Sequence, residues 1–241
     1  MMAQVMVPGV IGISTYVDYA YHREMQLTAR RLAGTDGPIN QLRVVTATLD
    51  FHRLVTNVRA GRWEAAEEQV AEAAVALASG GADFVVVTSG TTSTLTGAAR
   101  QRVQLAFLDL AESAWQEAGD ARSVGLLATQ RAAAGGIFQA AAERRGATLL
   151  LPRPTLAAEI DSLIFDELVR GEVTEAAVRT LREAVAELAD AGAERVILGN
   201  TDMTLAVDRM GETAVPIIDG ACAHARASAR AALRGELPGA P

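Results

Sequence analysis

The chain has 241 residues and a mass of 25.2 kDa; half of its residues are apolar and 21% are charged. This length and composition allow one large domain or two lobes with a buried core, and they exclude a disordered chain or a small disulfide scaffold. The formal net charge of −7 argues against a nucleic-acid-binding surface, which needs clustered basic residues.

The residue inventory excludes several kinds of chemistry. All 22 basic residues are arginine, so a Schiff-base lysine, a lysine-tethered pyridoxal phosphate and a P-loop lysine are absent. One cysteine and three scattered histidines give no metal-ligand spacing, and we predict no bound metal. The first residues show neither a basic leader nor a long apolar run, so we expect a cytoplasmic protein without a membrane segment.

Short apolar segments alternate with helical segments along the whole chain. The predicted buried strands are Val10–Ile13, Leu42–Thr46, Phe84–Val87, Val124–Leu127, Thr148–Leu151 and Val196–Leu198. Their β-branched and leucine-rich composition, without polar alternation, is typical of a parallel sheet covered on both faces. The amphipathic segments Trp63–Ala78 and Glu175–Asp190 are predicted helices. This alternation predicts an α/β fold with right-handed βαβ units.

The sequence contains an internal repeat. Gly81–Val87 (GADFVVV) resembles Gly192–Leu198 (GAERVIL), which begins 111 residues later (192 − 81), and each segment follows an amphipathic helix. A second pair, Val10–Thr15 and Val124–Thr129, recurs at nearly the same spacing. We therefore predict two similar α/β lobes with parallel sheets, related by a pseudo-twofold axis.

The repeat suggests a division of the chain into lobes. We predict a first lobe of residues 1–106 and 219–234, a second lobe of residues 107–218, and a flexible tail of residues 235–241. In this arrangement Ala106–Arg122 crosses between the lobes, and Ile218–Arg234 returns as a helix to the first. Since no Pro- or Ser-rich linker is visible, we expect the lobes to pack directly, with the ligand site between them.

Polar residues follow the repeated strands, at the sheet edge where parallel α/β folds bind ligands. The largest clusters are Thr88–Thr94 and Gly199–Thr204, while Ser14-Thr15 and Thr129 end the other repeated pair. Hydroxyls and free backbone N–H groups at helix starts favour an anion, although Ser and Thr also serve there as helix caps. We predict that these loops enclose one small acid.

Five motifs occur in order along nearly the whole chain: Gly81–Val87, Val124–Thr129, Glu159–Gly171, Gly192–Gly199 and Val215–Asp219. Together they resemble the aspartate/glutamate racemase superfamily, which also holds hydantoin racemases, maleate isomerases and arylmalonate decarboxylases. The resemblance implies two pseudo-symmetric lobes, a homodimer, and a mechanism in which one cysteine from each lobe flanks the substrate α-carbon. One thiolate removes the α-proton and the other thiol returns a proton from the opposite face.

The chain departs from this family at both cysteine positions. The family's Cys-Asn-Thr run corresponds to Ser89-Gly90-Thr91, and its Cys-Thr-Glu run corresponds to Asn200-Thr201-Asp202. A serine hydroxyl is far less acidic than a thiol, and an asparagine amide is not a base. Two-thiol racemisation at these positions is therefore excluded. The sole cysteine, Cys222, falls in the predicted C-terminal helix, where we expect it to pack.

The resemblance retains residues that would hold an acid, because Thr91, Thr92, Thr129 and Thr201 match positions that contact the substrate carboxylate. The predicted catalytic residues are Ser89, Asn200 and Asp202, and the predicted substrate-binding residues are Ser14, Thr15, Arg53, Gly90, Thr91, Thr92, Thr129 and Thr201. For Arg53 a contact to a second carboxylate and a solvated position are both open.

The base that would replace the thiols is Asp202, Asp50 or His22, and His22 is alternatively an exposed helix residue. We predict a structural role for His224.

Three functions are compatible with the sequence. The first is a cofactor-independent isomerase or lyase of racemase ancestry that acts on a small carboxylic or amino acid. The second is a non-catalytic small-acid-binding or regulatory homologue. The third is a serine hydrolase using Ser89, although the Gly-x-Ser-x-Gly elbow is absent around that residue. No nucleic-acid or membrane partner is expected.

Overall fold

A computed structural model describes residues 5–33, 41–235 and 237. Its strands are β1 (Pro8–Gly12), β2 (Val45–Thr48), β3 (Phe84–Val87), β4 (Ala106–Phe107), β5 (Ser123–Leu127), β6 (Thr148–Leu150), β7 (Arg195–Leu198) and β8 (Ile217–Asp219). They form two four-stranded parallel sheets, with strand orders β2-β1-β3-β4 and β6-β5-β7-β8. The predicted α/β class and parallel sheets are confirmed, and the shared strand order matches the internal repeat.

Helices cover the strands of both sheets. They are α1 (Thr15–Ala33), α2 (Phe51–Arg59), α3 (Trp63–Ser79), α4 (Gly90–Ser93), α5 (Gly97–Arg102), α6 (Leu110–Ala118), α7 (Gln130–Ala134), α8 (Ile137–Arg144), α9 (Pro154–Asp166), α10 (Glu175–Asp190), α11 (Val207–Met210) and α12 (Gly220–Arg234). Two 3₁₀ helices span Leu168–Arg170 and Thr201–Ala206.

The chain clusters into two compact units. Unit 1 contains Met1–Thr88, Leu95–Asp109 and His224–Pro241, and therefore the first sheet; unit 2 contains Ser89–Thr94 and Leu110–Ala223, and therefore the second. The division into lobes at residues 106 and 219 stays a prediction. Of the expected flexible tail, residues 236 and 238–241 lie outside the described part of the chain.

The two central strands β3 and β7 illustrate why the apolar segments form strands. All four residues of β3 are buried, as are three of the four in β7. Helix α10 covers the second sheet with an apolar face built from Val178, Leu181 and Val185. It begins where predicted, because the Thr174 hydroxyl oxygen accepts the Ala177 N–H at 3.0 Å and caps the helix.

The second strand lies further along the chain than predicted. It covers Val45–Thr48 rather than Leu42–Thr46, because its register pairs Val45 with Gly9 of β1. Leu42 stays outside the sheet, since the Gln26 side chain takes both of its backbone groups: Leu42 N–H donates to Oε1 at 2.8 Å and Leu42 C=O accepts from Nε2 at 2.9 Å.

Two edge strands were missed by the sequence analysis. The predicted crossover Ala106–Arg122 contains both β4 and helix α6, and β4 has only two residues, neither of them buried. The predicted helix Ile218–Arg234 begins at Gly220 instead, because Ile217–Asp219 pairs with β7. Both strands are too short to carry a periodic signal.

His224 is fully buried in unit 1 and joins three elements. Its Nε2 donates to the Leu108 carbonyl oxygen at 3.1 Å, so its Nδ1 is left to accept the Tyr21 hydroxyl, also at 3.1 Å. The two rings meet edge to face, with centroids 5.7 Å apart. Burial lowers the pKa of His224 from 6.5 to about 4, since no charged partner replaces the lost solvation.

This histidine makes folding sensitive to acid. Well above pH 6.5 this histidine is uncharged in both the folded and the unfolded state, and it contributes nothing to the pH dependence of stability there. As the pH falls below 6.5, His224 becomes protonated in the unfolded chain, whereas in the folded protein it stays neutral until about pH 4. This difference lowers the free energy of unfolding by about 3 kcal/mol. Urea denaturation at pH 7.5 and 4.5 measures this loss.

The matched control is His224→Gln, whose amide keeps a donor for Leu108 but does not titrate. We expect the stability of this variant to fall less between the two pH values than that of the wild type. Equal losses in both proteins contradict the assignment.

Candidate functional site

Seven of the predicted site residues belong to segments that follow the carboxyl ends of strands. All seven are buried and belong to unit 2. They are Ser89, Thr91, Thr92, Thr129, Asn200, Thr201 and Asp202, each at most 9% exposed. We call this set the hydroxyl cluster. Thr129 and Asn200 follow the adjacent strands β5 and β7, whose register pairs Leu127 with Leu198, so both residues emerge at the same edge of the sheet.

Three members of the cluster cap short helices. The Ser89 hydroxyl oxygen accepts the Thr92 N–H at 3.2 Å, and the Thr129 hydroxyl oxygen accepts the Ala132 N–H at 3.1 Å. The Asn200 Oδ1 accepts the Asp202 N–H at 3.0 Å. Capping occupies acceptor positions on these groups. It leaves the hydroxyl proton of Ser89 and the amide N–H groups of Asn200 for other partners.

The hydroxyls of Thr91 and Thr129 lie 2.7 Å apart and form a hydrogen bond. One of the two donates to the other, and the acceptor keeps its own proton. The pair therefore presents a single outward O–H donor in a buried setting, whichever residue supplies it. Such a donor suits a carboxylate oxygen, and its hydrogen bond is stronger where water is excluded.

A close backbone approach brings the Ser89 segment to the end of β7. A Cβ atom placed on Gly90 would lie 2.2 Å from the Gly199 carbonyl oxygen, which no side chain tolerates. Glycine at position 90 thus allows Ser89 and Thr91 to lie beside Gly199 and Asn200. Gly90, predicted from the resemblance as a binding residue, has this packing role in the structure.

Cys222 lies in the first turn of α12 and packs beside its cap. Its backbone N–H donates to Asp219 Oδ1 at 3.1 Å, and its sulfur is 3.8 Å from the Thr204 hydroxyl, which also donates to the other oxygen of Asp219. The thiol therefore lies in α12, beside Thr204, whereas positions 89 and 200 hold serine and asparagine.

The remaining predicted residues belong to unit 1 and are not brought together. Ser14 is buried, whereas Thr15 and Arg53 are exposed. The Arg53 guanidinium faces Glu72 at 4.0 Å, and its backbone N–H is capped by the exposed Asp50. His22 contacts the Thr46 hydroxyl at 3.1 Å through Nε2. Asp50, His22 and Arg53 therefore have local partners of their own.

Asp18 was not predicted as a site residue, and Thr88 was predicted only as part of the polar run Thr88–Thr94. Asp18 Oδ1 accepts the Thr88 hydroxyl at 2.6 Å and the Ile13 N–H at 3.2 Å, at the carboxyl ends of β1 and β3. Burial raises the pKa of Asp18, while these hydrogen bonds and the charge of His22 partly oppose the rise. The sequence offered one signal that could have drawn attention to Asp18: it follows Ser14 by four residues, or about one helical turn, shortly after the strand that ends at Gly12.

The described residues contain no group of three or more His, Cys, Asp or Glu side chains that could hold a metal ion. Within the same residues, no helix is both long and apolar enough to cross a membrane.

Two parallel sheets of the same strand order, each followed by polar loops, define a duplicated α/β protein. Residues 10–228 match the family described as Asp/Glu/Hydantoin racemase. The chain therefore belongs to the Asp/Glu/hydantoin racemase family, as the sequence motifs predicted.

Solved structures share this fold. A Yersinia pestis protein assigned to the Asp/Glu racemases shares 25% identity and a TM-score of 0.79, over 95% of this chain and 99% of that one. An aspartate racemase homologue from Pyrococcus horikoshii shares 22% identity and a TM-score of 0.72, over 94% and 99%. A Francisella tularensis glutamate racemase bound to D-glutamate shares 12% identity and a TM-score of 0.63, over 98% and 85%.

The close contact between Gly90 and the Gly199 carbonyl oxygen can be tested directly by substitution. Gly90→Ala forces the Ser89 segment away from the Gly199 carbonyl oxygen, and we expect a loss of about 1–3 kcal/mol of unfolding free energy in urea. Gly97→Ala is the control, because its Cβ would meet only Glu67 Oε2 at 3.6 Å, an ordinary contact. Equal stability of the two variants argues against the approach.

Proposed function

We propose that this protein is a cofactor-independent isomerase or lyase that acts on a small carboxylic or amino acid without the two-thiol mechanism. Membership of the racemase family supports the reaction class. The observation that carries the proposal is the Thr91–Thr129 hydroxyl pair, buried at the sheet edge that also holds Asn200 and Asp202, while no cysteine occupies position 89 or 200.

In this proposal the hydroxyl cluster binds the substrate carboxylate. The outward O–H of the Thr91–Thr129 pair and the amide N–H groups of Asn200 donate to its oxygens. When the α-proton leaves, negative charge accumulates on those same oxygens, so donors held in a buried site stabilise the charge most when it is largest. Little reorganisation is needed for this, because Thr129 and Asn200 are held by helix caps and Thr91 by its hydrogen bond to Thr129.

Asp202 is proposed as the proton acceptor. Of the three candidate bases, Asp50 is exposed and caps α2, and His22 lies beside Thr46. Asp202 is 6% exposed and directly follows the cluster residues Asn200 and Thr201. It is therefore the candidate base that lies within the cluster proposed to bind the acid, and a general base must lie within reach of the proton that it takes.

The proposed step conserves atoms and electrons. The Asp202 carboxylate takes the α-proton, and the C–H electron pair moves into the carboxyl group to form an enediolate. Ser89 then donates its hydroxyl proton to the opposite face of the same carbon, which gives isomerisation; the Ser89 oxygen takes a proton back from solvent, and Asp202 releases to solvent the proton that it took. Expulsion of a group from the neighbouring carbon gives elimination instead.

The hydrolase alternative gains no support from the geometry of Ser89. Its hydroxyl oxygen accepts the Thr92 N–H, and its hydrogen bonds among the described residues do not involve a histidine. The binding-protein alternative differs from the enzyme only in the outcome of the following experiment. We further propose that the protein is cytoplasmic and, from the family resemblance, that it is a homodimer.

Proton NMR in D2O tests the reaction. Pure protein is incubated with small amino, hydroxy and dicarboxylic acids, beginning with glutamate, since the Francisella tularensis relative binds D-glutamate. Loss of the α-proton signal, or a new vinyl signal, is expected for one class of acid. Ligand line broadening without chemical change supports the binding protein and overturns the enzyme.

Variants then assign the roles. We expect Asp202→Asn to lower kcat by about 100-fold or more, because the amide cannot accept the proton. Ser89→Ala removes the relay and lowers turnover with little change in substrate affinity. Asp208→Asn, an exposed carboxylate in the following helix, is the matched control with unchanged turnover. Full turnover by Asp202→Asn removes this residue from the mechanism.

A separate experiment tests the proposal that the reaction does not use the thiol of Cys222. Since the sole thiol packs beside Thr204 and Asp219, we expect Cys222→Ser to keep turnover within about threefold of the wild type, as for a substitution outside the reacting groups. Treatment of the wild type with iodoacetamide serves as a second measurement. Loss of α-proton exchange in both experiments means that Cys222 has taken over the missing cysteines' role.

A further inference from the structure

We propose that Asp219 is a positioning residue for Asp202, the base of the proposed reaction. Its carboxylate holds the 3₁₀ helix Thr201–Ala206, which carries Asp202, through the hydroxyl group of Thr204. Asp219 ends the sequence motif Val215–Asp219, to which the proposed function gives no role. This role of Asp219 rests on the proposed function, whereas its hydrogen bond to Thr204 can be measured without any turnover.

The 3₁₀ helix has three rows of side chains, because it has three residues per turn and residues three apart lie above one another. Met203 and Ala206 form one row, and both are fully buried in the apolar core of unit 2. Thr204 belongs to the second row and Asp202 to the third. The direction of Asp202 is therefore set by how the other two rows are held.

Contacts from outside the helix hold these rows. The helix has six residues, which is long for a 3₁₀ helix, and internal hydrogen bonds of this type have poorer geometry than those of an α-helix. At its N-terminal end, Asn200 Oδ1 accepts the Asp202 N–H at 3.0 Å. In its middle, the Thr204 hydroxyl donates to Asp219 Oδ2. Because core packing alone would let the helix rotate about its packed row, the second hydrogen bond fixes that rotation.

Asp219 is itself held firmly. It is the last residue of β8 and pairs with Leu198 of β7. Its Oδ1 accepts the Cys222 N–H at 3.1 Å, in the first turn of α12. A Cβ on Gly220 would lie 2.5 Å from the Leu198 carbonyl oxygen, so glycine there lets the start of α12 approach the end of β7. The carboxylate thus has a fixed position from which Oδ2 holds Thr204.

The position of the base matters more for proton transfer than for substrate binding. A base must lie within hydrogen-bond reach of the proton that it takes, and a displacement of about 1 Å can lower a rate by about 100-fold. The Thr91–Thr129 pair, proposed to bind the substrate carboxylate, is formed without Thr204 or Asp219. Loss of the Thr204–Asp219 hydrogen bond is therefore expected to lower kcat and to leave KM nearly unchanged.

Hydrogen exchange in the ligand-free protein tests the Thr204–Asp219 hydrogen bond itself. Thr204→Val keeps the shape of the side chain but removes its donor. We expect the backbone amides of Thr201–Ala206 to exchange about 2- to 10-fold faster in this variant, while those of β5 keep the wild-type rate. Thr204→Ser keeps the hydroxyl and is expected to exchange as the wild type does. Wild-type exchange of Thr201–Ala206 in Thr204→Val overturns the proposal.

The matched control is Thr213→Val. It also removes a partly buried threonine hydroxyl in unit 2, one that donates to the Val215 carbonyl oxygen at 2.8 Å. We expect this variant to keep the wild-type exchange rate in Thr201–Ala206 and the wild-type turnover. Equal effects of Thr213→Val and Thr204→Val contradict a specific role for the Thr204–Asp219 hydrogen bond.

Proton NMR in D2O tests the effect on the reaction, first on glutamate and then on any other acid that the wild type converts. We expect Thr204→Val to lower kcat by about 10- to 100-fold with KM within about threefold of the wild type. Thr204→Ser is expected to recover most of this loss, because it restores the donor. A change confined to KM, or equal turnover in the valine and serine variants, overturns the positioning role.

Asp219→Asn distinguishes a positioning residue from a second base. Asparagine keeps an oxygen acceptor for the Cys222 N–H, and its NH₂ group can donate to the Thr204 oxygen, so both segments stay joined. We expect Asp219→Asn to lower kcat by less than about tenfold, and Asp219→Ala to lower it as much as Thr204→Val does. If Asp219→Asn loses as much turnover as Asp202→Asn, Asp219 takes the proton itself and the positioning role is wrong.

The variants also separate a failure of this role from a failure of the proposed function. If Asp202→Asn abolishes turnover while Thr204→Val leaves it intact, the reaction stands and only the role of Asp219 is wrong. If the wild type converts no acid, both the reaction and the positioning role are wrong, even where hydrogen exchange shows that Asp219 holds the 3₁₀ helix.

Discussion

Burial of the central strands on both faces constrains where polar chemistry can occur in this protein. In β1 and β3 every residue is buried, so their backbone groups must pair within the sheet and their side chains must be apolar or absent. Polar side chains begin only where these strands end. Because parallel strands all end at the same edge, the constraint collects hydroxyl and carboxyl groups from segments far apart in sequence.

The same strand order carries different chemistry in the two units. In unit 2 the strand ends supply mainly hydroxyl and amide groups, which donate hydrogen bonds, together with the carboxyl group of Asp202. In unit 1 the corresponding edge holds the carboxyl group of Asp18, which accepts them. The duplicated fold thus places the ends of corresponding strands at equivalent positions in the two units. The residue types at those positions decide which chemistry each unit can perform.

Sequence patterns predicted the class of the fold because long amphipathic helices have a regular apolar period and strands buried on both faces are continuous apolar runs. Helix α10 has its predicted bounds, whereas β4 and β8 are too short to leave such a pattern. For β2, the deciding factor is the side chain of Gln26, which holds Leu42 outside the sheet from 16 residues away. A contact of that kind depends on packing and cannot be read from the local sequence.

The candidate site shows the same limit. The polar runs after β3 and β7 pointed to the hydroxyl cluster, because strand ends are visible in sequence. Asp18 was not predicted because the features that distinguish it are its burial and its hydrogen bond with Thr88, which lies 70 residues further along the chain. Arg53 looked suitable by residue type, yet its guanidinium faces Glu72 at 4.0 Å on the exposed surface.

The hydroxyl pair of Thr91 and Thr129 has two possible proton orders. Either oxygen can be the donor within the pair at the same separation of 2.7 Å, and the two arrangements interconvert by rotation of the hydroxyl hydrogens alone. The outward proton can therefore shift from one oxygen to the other while every heavy atom stays in place. A charge that moves between the two oxygens of a bound carboxyl group would be followed by a hydrogen bond that switches with it.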